Sequence, residues 1–250
     1  MNIPCLATSL LAVLCSATLV HAAATLTHRY EFSGNLNDSI GTSHAVAATI
    51  DGAPAELAYD AARPPEASGP VASIQIGQIA DGVSGFTIPV VALSNVGSLS
   101  FWFRADRSNA GEGADYIINM GGTYNKDLRI AIAAGKETLE ANVANTNTLL
   151  ARIVGDAWYH VAVTWDKDAQ TANLYINGKL AKSRTWDEPV RFSLAPVRIG
   201  NWAFSAKYAN NQFKGSIYDL QVYAGQLDAS EVKQLHAAPG SISQPGQPEI

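Results

Sequence analysis

The sequence has little charge and almost no cysteine. Only 16% of its 250 residues are Asp, Glu, Lys or Arg, and its two cysteines, Cys5 and Cys15, both lie near the N-terminus. A disulfide framework of the kind that holds small secreted domains together is therefore excluded for the rest of the chain. Hydrophobic residues make up 47% of the sequence, which is enough for a packed core at this length. The net charge of −5 does not favour attraction of a phosphate backbone, so we expect no nucleic acid partner.

The first 24 residues lack Asp, Glu, Lys and Arg altogether. They form a long apolar run whose end, residues 22–24, is all alanine and matches an A-x-A cleavage pattern. We predict a secretory signal peptide over residues 1–24, although its positive n-region is missing; an uncleaved membrane anchor is the alternative. No second long apolar run follows, so the sequence predicts a secreted or periplasmic protein with no membrane span after signal cleavage.

Helical periodicity is almost absent, whereas apolar residues alternate with polar ones in many short segments. In GSLSFWFRAD, Leu99, Phe101 and Phe103 fall on one face of an extended strand. In WYHVAVTWD, Val161 and Val163 do the same. Because Gly, Asn, Asp and Pro separate these segments, the pattern predicts an all-β sandwich or barrel.

Two local signals predict a turn and a helix. Asn177 and Gly178 form the dipeptide that favours a tight hairpin turn. In LDASEVKQLHA, Asp228 followed by Glu231 is a capping box, which predicts a short helix that ends before Pro239.

The chain is interpreted as one domain over residues 25–238. Residues 51–70, rich in Ala and Pro, are predicted to be a connection that wraps the sandwich. The polar Pro/Gly segment 239–250 is predicted to be a disordered tail.

The order of the motifs resembles that of a known family. HRYEFSGNLNDSIG, GSLSFWFRAD, WYHVAVTWD, LYINGK, IGN and FKGSIYDLQVYAGQLDASEVKQL follow one another as in the laminin-G-like jelly-roll domains of the concanavalin A-like lectin/glucanase superfamily. The resemblance covers nearly all of residues 27–237. It implies a two-sheet antiparallel jelly-roll sandwich, one sheet being concave, with a short C-terminal helix. Members bind sugars, proteins or metals, so the fold does not settle the function.

Catalytic patterns are not apparent. Glycoside hydrolysis needs two carboxylates that flank the scissile bond, and glucanases of this superfamily carry them at alternate positions of one strand. Here Glu137 and Glu140 are three residues apart, and Asp166 and Asp168 precede a predicted turn that they are expected to cap. His160 is interpreted as a strand residue. We predict no catalytic residues and no enzyme; a divergent polysaccharide hydrolase or lyase is an alternative.

The resemblance also implies a metal. Asn35, Asn37 and Asp38 crowd a Gly-bounded turn, and calcium accepts carboxylate and carbonyl oxygens. Related jelly rolls often place one calcium between the first strand region and the last strand, where Asp38 and Asp219 match by position. One structural Ca²⁺ at Asp38 and Asp219 is therefore an expectation. The alternative is that Asp38 shapes an Asx turn and that Asp219 is a paired surface acid.

One loop, residues 200–215, is rich in aromatic and amide side chains. Flat aromatic rings stack on sugar rings, amides bridge hydroxyl groups, and loops often carry function. In the alternative, these aromatics pack into the base of the loop. The predicted ligand-binding residues, with one from the segment MGGTYNKD, are Trp202, Phe204, Tyr208, Asn201, Asn210 and Tyr124.

Together these observations predict a secreted, non-catalytic binding module. Its expected partner is a glycan or a glycosylated surface. The alternative is an extracellular protein-interaction or matrix component that uses the same loop to bind an extracellular protein.

Overall fold

Two antiparallel β-sheets stack face to face in the computed structural model. It describes residues 23–50, 53–55, 57–67, 73–76, 84–89, 93–106, 113–120, 128–135, 137–143, 147–186, 196–203 and 206–243. The predicted signal peptide lies almost entirely outside these residues.

The strands and the C-terminal helix follow one another in this order: β1 Thr25–Tyr30, β2 Val46–Ala47, β3 Thr49–Ile50, β4 Ala53–Pro54, β5 Ala58–Asp60, β6 Ser73–Ile76, β7 Phe86–Ile88, β8 Val96–Ala105, β9 Asp115–Met120, β10 Leu128–Ile132, β11 Thr138–Val143, β12 Asn147–Arg152, β13 Trp158–Asp166, β14 Thr171–Ile176, β15 Lys179–Thr185, β16 Val197–Ile199, β17 Gly215–Ala224 and α1 Ala229–Ala237. Short 3-10 turns span Ala206–Asn211 and are interrupted at Tyr208.

The eight-stranded sheet has the order β15-β14-β13-β8-β17-β6-β5, and β1 also pairs with β17. Strand β17 pairs with both β6 and β1 because residues 215–217 pair with β6 and residues 220–224 pair with β1. Its register on β8 shifts between Tyr218 and Gln221. Asp219 lies in that irregularity with a positive φ of 50°. Because of this bulge, Asp219 lies outside the regular hydrogen-bonded ladder of β17 and β8.

The seven-stranded sheet has the order β12-β11-β10-β9-β16-β7-β2, and β3 and β4 form a separate two-stranded pair. The order interleaves distant segments, since β16 lies between β9 and β7. This crossing between distant parts of the chain, with two stacked sheets, confirms the predicted jelly-roll sandwich.

The core fills the space between the sheets. Leu99, Phe101 and Phe103 are buried in it, as are Val161 and Val163. The period-two faces predicted from these strands are therefore confirmed. Full burial of such side chains contributes about 1.5–3 kcal/mol each.

Several strands escaped the sequence-based assignment. The strands β9, β11 and β12 were not predicted, and the segment 51–70 contains the short strands β4 and β5. The strands β4 and β5 have only two and three residues, which are too few positions to show a period. The strands β9, β11 and β12 have six residues each, and β9 is buried at every position, so its sequence does not alternate between apolar and polar residues.

Helix α1 covers part of the outer face of the eight-stranded sheet. Its predicted capping box is confirmed, with Glu231 N donating to Asp228 and Asp228 N donating to Glu231, both at 2.8 Å. Val232 and Leu235 pack with Tyr223 of β17. The helix is therefore fixed both at its start and along its apolar side.

Residues 239–243, which we call the C-terminal strap, make specific hydrogen bonds with the sheet. Arg29 donates to the carbonyl of Gly240 at 2.6 Å, and Gln221 donates to that of Ser241 at 2.7 Å. The Ser243 hydroxyl donates to Glu231 at 2.8 Å. The segment predicted as a disordered tail thus starts with an ordered strap, because its carbonyls satisfy buried donors. Residues 244–250 lie outside the described residues.

Candidate functional site

The predicted binding loop leaves the seven-stranded sheet directly after β16. Gly200 has a positive φ of 100°. A Cβ at this position would come within 2.6 Å of Ile76 and 3.0 Å of the Ser84 carbonyl. Only glycine accommodates both the conformation and the close approach. The loop therefore begins tightly packed against the sandwich.

Two buried amides form a frame under the loop. Asn201, which is 0% exposed, accepts a hydrogen bond from Trp202 N at 2.7 Å and donates to the Tyr208 carbonyl at 3.1 Å. Gln212 donates to the carbonyls of Gly200 and Phe213, both at 2.8 Å. The prediction that Asn201 contacts a ligand is corrected by this geometry, because its polar groups hold the loop together.

The surface above this frame is what we call the aromatic rim, formed by Trp202, Lys207, Tyr208 and Asn210. The rings of Trp202 and Tyr208 lie 4.3 Å apart at an interplanar angle of 56°, and both side chains are partly exposed. The Lys207 ammonium lies 5.4 Å from the centre of the Tyr208 ring. Trp202 Nε1 is 3.4 Å from Asn211 Oδ1. The rim therefore presents a fixed pair of rings with a cation beside them.

The other predicted ligand-binding residues are Asn210, Phe204 and Tyr124. Asn210 is exposed at the rim. Phe204 and Tyr124 lie outside the described residues. Lys207 was not predicted as a site residue, since a single lysine in a loop is usually only a solvated charge; its position over a ring depends on the fold of the loop.

The carboxylate of Asp38 does not fit a calcium ligand in this structure. Its side chain is buried and both oxygens accept hydrogen bonds. Burial alone would raise the pKa of Asp38, but these bonds lower it to about 2. The donors, at 2.7–3.2 Å, are His28 Nδ1 and the backbone N–H groups of Arg29, Ile40, Gly41 and Ser43.

The second predicted ligand, Asp219, already faces a cation. Arg29 Nε donates to Asp219 Oδ1 at 2.7 Å, and Gln221 Nε2 donates to Oδ2 at 2.6 Å. Burial raises the pKa of Asp219, and the contact with Arg29 opposes that shift. The guanidinium of Arg29 thus supplies the positive charge that calcium would bring. Calcium binding stays a prediction, and these two carboxylates do not fit it without displacing their donors.

A polar surface pocket of about 320 Å³ opens beside Asp38. Glu31 lines it and also lies 3.2 Å from Arg29. The residues that line the pocket are Glu31, Ser33, Asn35, Asn37, Asp38, Ser39 and His44. Among the described residues, no group of three or more His, Cys, Asp or Glu side chains is arranged to hold a metal.

The other acids considered for catalysis have structural partners. Asp166 Oδ1 accepts from the backbone of Asp168 and Ala169, both at 2.8 Å, which confirms its predicted role in the turn. Glu140 forms an ion pair with Arg129 at 2.8 Å.

His160 lies on the outer face of the eight-stranded sheet, where it is buried. Its Nε2 is 2.9 Å from the hydroxyl of Ser100, and its ring lies 5.2 Å from that of Trp102. Burial, with a smaller effect from His236, lowers the pKa of His160 to about 3. Because only 1% of His160 is exposed, the Ser–His pair is inaccessible to a substrate.

No helix in the described part of the chain combines the length and apolar character that crossing a bilayer requires.

Comparisons with known proteins bear on the fold and the family of the chain. The sequence profile described as the concanavalin A-like lectin/glucanases superfamily matches residues 80–233. A search of curated proteins finds no match.

Similar solved structures include domain 4 of AbnA, a GH43 extracellular arabinanase from Geobacillus stearothermophilus, in complex with arabinotriose. It has a TM-score of 0.62 and 23% identity, covering 85% of this chain and 98% of that domain. The botulinum neurotoxin type G receptor binding domain has a TM-score of 0.59 and 18% identity, covering 86% of this chain and 51% of that one. The binding domain of botulinum neurotoxin DC, in complex with rat synaptotagmin II, has a TM-score of 0.59 and 18% identity, with coverages of 85% and 51%. This chain thus spans about half the length of the toxin domains, and at these identities the likeness shows the fold.

Proposed function

Because the chain belongs to the concanavalin A-like lectin/glucanases superfamily, we propose that it is a non-catalytic module that binds carbohydrate through the aromatic rim. The observation that carries this proposal is the pair of partly exposed rings of Trp202 and Tyr208, held 4.3 Å apart on a loop with a buried amide frame. Carbohydrate offers apolar ring faces for these aromatics and hydroxyl groups for Asn210.

The hydrogen bonds that hold Trp202 and Tyr208 support this proposal. A ligand that binds to pre-ordered side chains avoids the entropic cost of ordering them. Asn201 and Gln212 supply that order from below, where a ligand has no access. The similar AbnA domain was solved with arabinotriose, which agrees with a sugar-binding role for a domain of this fold.

The proposal that the module is non-catalytic rests on the structural partners of its carboxylates. Asp166 caps a turn, Glu140 is paired with Arg129, and Asp38 and Asp219 are bonded to protein donors. Binding of a glycan or glycosylated surface needs none of them as an acid or base. We also propose that residues 1–24 export the chain, which would bring the rim to extracellular glycans.

The experiment is a glycan array with the wild type and the Trp202→Ala and Tyr208→Ala variants. We expect binding to at least one glycan, reduced about tenfold or more in each variant, since a stacked ring contributes about 1.5–3 kcal/mol. Trp158→Ala is a matched control, because Trp158 is a partly exposed tryptophan on the other sheet.

Absence of binding to every glycan, or equal binding in wild type and both rim variants, would contradict the proposal. A protein partner that binds after enzymatic deglycosylation and is lost in the same variants would favour the protein-interaction alternative. The toxin binding domain in complex with rat synaptotagmin II is the observation that keeps this alternative open.

A further inference from the structure

Two buried polar atoms lie on the outer face of the eight-stranded sheet, on either side of a tryptophan. Trp102 of β8 is directly opposite His160 of β13 and Tyr218 of β17. These three side chains point away from the core, because their neighbours in the strands, such as Phe101 and Val161, belong to it. In the described part of the chain, nothing offers a hydrogen bond to His160 Nδ1 or to the Tyr218 hydroxyl. Buried polar atoms are seldom left in this way, so the arrangement requires an explanation.

The end of the chain lies over these side chains. His236, in the last turn of α1, stacks on Trp102 with the ring centres 5.4 Å apart and the planes at 18°. The centre of its ring is 5.9 Å from that of His160. A Cβ at Gly240 of the C-terminal strap would come within 2.6 Å of the Tyr218 hydroxyl. The helix and the strap therefore keep both polar atoms from water.

We call α1 and the C-terminal strap together, residues 229–243, the C-terminal cover. It lies outside the strand order of both sheets. Side chains attach it instead: Val232 and Leu235 pack on the sheet, and Arg29 and Gln221 donate to its carbonyls. Because its release would leave the strand pairs intact, the cover can open as one unit while the two sheets stay folded.

The groups that face His160 carry no negative charge. They are the Ser100 hydroxyl, 2.9 Å from its Nε2, the ring of Trp102 and the ring of His236. The Asn177 side chain accepts from its backbone N–H. Burial, and then His236, disfavour a charge on the imidazole, and they lower the pKa of His160 to about 3. The closed cover therefore keeps His160 neutral.

His236 is the second histidine of this contact. Burial lowers its pKa, an effect that Glu66 opposes and Lys179 reinforces. Because His236 also lies against Gly178, where an added Cβ would be 3.2 Å away, its ring is held between the turn and Trp102. A proton on His236 would place a positive charge beside that of Lys179.

The strap side of the cover carries other charged groups. Arg29 bonds to Asp219 and to the Gly240 carbonyl, and Glu31 lies 3.2 Å from Arg29. Glu231 of α1 accepts from the Ser243 hydroxyl. Among all the groups at the cover, the histidines are those whose ordinary pKa lies between pH 5 and 8. Mild acid should therefore act on the cover through His160 and His236.

We propose that acid detaches the C-terminal cover from the eight-stranded sheet as one unit, while both sheets stay folded. Detachment gives His160 and His236 access to water, where each imidazole takes up a proton. It also allows the Tyr218 hydroxyl to form hydrogen bonds and uncovers Trp102. At low pH the sheet then presents an aromatic face that is buried at neutral pH. This face is on the sheet opposite the aromatic rim, so the inference does not depend on the proposed glycan binding.

Proton uptake sets the size of the effect. His160 favours the closed cover fully above pH 6.5, its ordinary pKa, and this preference is lost as the pH falls toward 3. From His160 alone, the equilibrium constant for opening should rise about 30-fold between pH 7.5 and pH 5. His236 adds to this rise, because its pKa is also lowered in the closed form.

The test is native-state hydrogen exchange of the full chain at pH 7.5 and pH 5, with the rates corrected for the intrinsic effect of pH. The reporters are amides of α1, among them Val232 N, which donates to the Asp228 carbonyl, and Ala238 N, which donates to that of Gln234. The reference amides are those of β8. We expect the reporters to open more readily than the reference at both pH values, and their opening constant to rise about 30-fold or more at pH 5.

His160→Gln is the main variant and should lose most of this rise, since its side chain takes up no proton. His160→Met, also neutral, replaces it if the glutamine variant does not fold. His236→Phe keeps a ring on Trp102 without a titratable group, and its rise should be smaller than that of the wild type. His44→Gln is the matched control, because His44 is an exposed histidine outside this contact, and it should keep the full rise.

Three results would overturn the inference. Equal opening constants for α1 and β8 would show that the domain unfolds as a whole rather than releasing the cover. Exchange of α1 that is independent of pH after correction would show that the cover does not respond to acid. A full rise in a folded His160 variant would assign the response to other groups.

Discussion

On the outer face of the eight-stranded sheet, α1 and the C-terminal strap lie against β17 and its neighbours. On the outer face of the seven-stranded sheet, five polar side chains lie opposite one another on neighbouring strands: Asn142, Arg129, Asn119, Arg198 and Thr87. Both faces carry buried polar groups.

The difference is where the polar groups find their partners. On the eight-stranded sheet, Arg29 and Gln221 donate to carbonyls of the strap, a segment from the end of the chain. On the seven-stranded sheet, the ion pair of Arg129 is with Glu140 of the neighbouring strand. The first arrangement ties the end of the chain to the sheet, and the second joins neighbouring strands within one sheet. Four measurements test this distinction.

Removal of residues 239–250 should have the largest effect on stability. It takes away the acceptors of Arg29 and Gln221 and the partner of Glu231. Buried donors left without acceptors cost about 1–3 kcal/mol each, so we expect a loss of roughly 3 kcal/mol in the free energy of unfolding. Urea denaturation measures it. Removal of residues 244–250 alone is the control and should change little; equal stability of both shortened chains would show that the strap is not structural.

Acidification should have the second-largest effect on stability, through His160 on the outer face of the eight-stranded sheet. The pKa of His160 is lowered from 6.5 to about 3, first because burial disfavours its charged form. Between these pKa values the imidazole of His160 is therefore protonated in the unfolded chain but neutral in the folded chain. Its contribution to the free energy of unfolding is present above pH 6.5 and is lost as the pH falls toward 3. At about pH 5 the loss should approach 2 kcal/mol.

The check is the free energy of unfolding between pH 7 and pH 5, above the range in which Asp38 titrates. The same measurement on folded His160→Gln should give a flatter dependence. An identical slope in the variant would assign the pH response to other groups.

Two glycines allow the faces to be compared directly. Gly178, in the confirmed turn with Asn177, has a positive φ of 74°, and an added Cβ would lie 3.2 Å from His236 of α1. Gly135, between β10 and β11, has a positive φ of 93° and nothing within 4 Å of an added Cβ.

Alanine at either glycine should cost about 1 kcal/mol from backbone strain, and Gly178→Ala should cost more because it also pushes against the helix. Thermal melts of the two variants measure the difference. Equal losses would mean that α1 shifts away from the added methyl group at little cost and is therefore loosely packed on the sheet.

Calcium should have the smallest effect. Because Asp38 and Asp219 are bonded to protein donors, we expect chelation or calcium addition to leave the melting temperature unchanged. A bound ion would stabilise the folded state in proportion to the logarithm of its concentration. A calcium-dependent rise that disappears in Asp38→Asn would contradict this expectation and support the metal site that the family resemblance implies.

The sequence predicts those features of the fold that depend on local pattern. The alternation of Leu99, Phe101 and Phe103 identifies a core face because a strand has period two, and Asp228 with Glu231 marks a helix start because the capping box spans four residues. Both signals are complete within a short segment.

Features that depend on pairing between distant segments were not predictable in this way. Arg129 and Arg198 are 69 positions apart in the chain, and only the order of β10, β9 and β16 brings them onto one row. The burial of Asn201 likewise depends on Gln212 and the Tyr208 carbonyl. An amide in an aromatic loop has the same sequence signature whether it faces a ligand or holds the loop from below.

Strand β15 lies at the edge of the eight-stranded sheet, and all seven of its residues are exposed. Lys179, Lys182 and Arg184 place positive charge along this edge. An unpaired strand edge is a template for another copy of the chain, and charged side chains oppose that pairing. We expect neutral replacements at these three positions to leave the fold intact and to make concentrated solutions prone to fibrillar self-association through this edge.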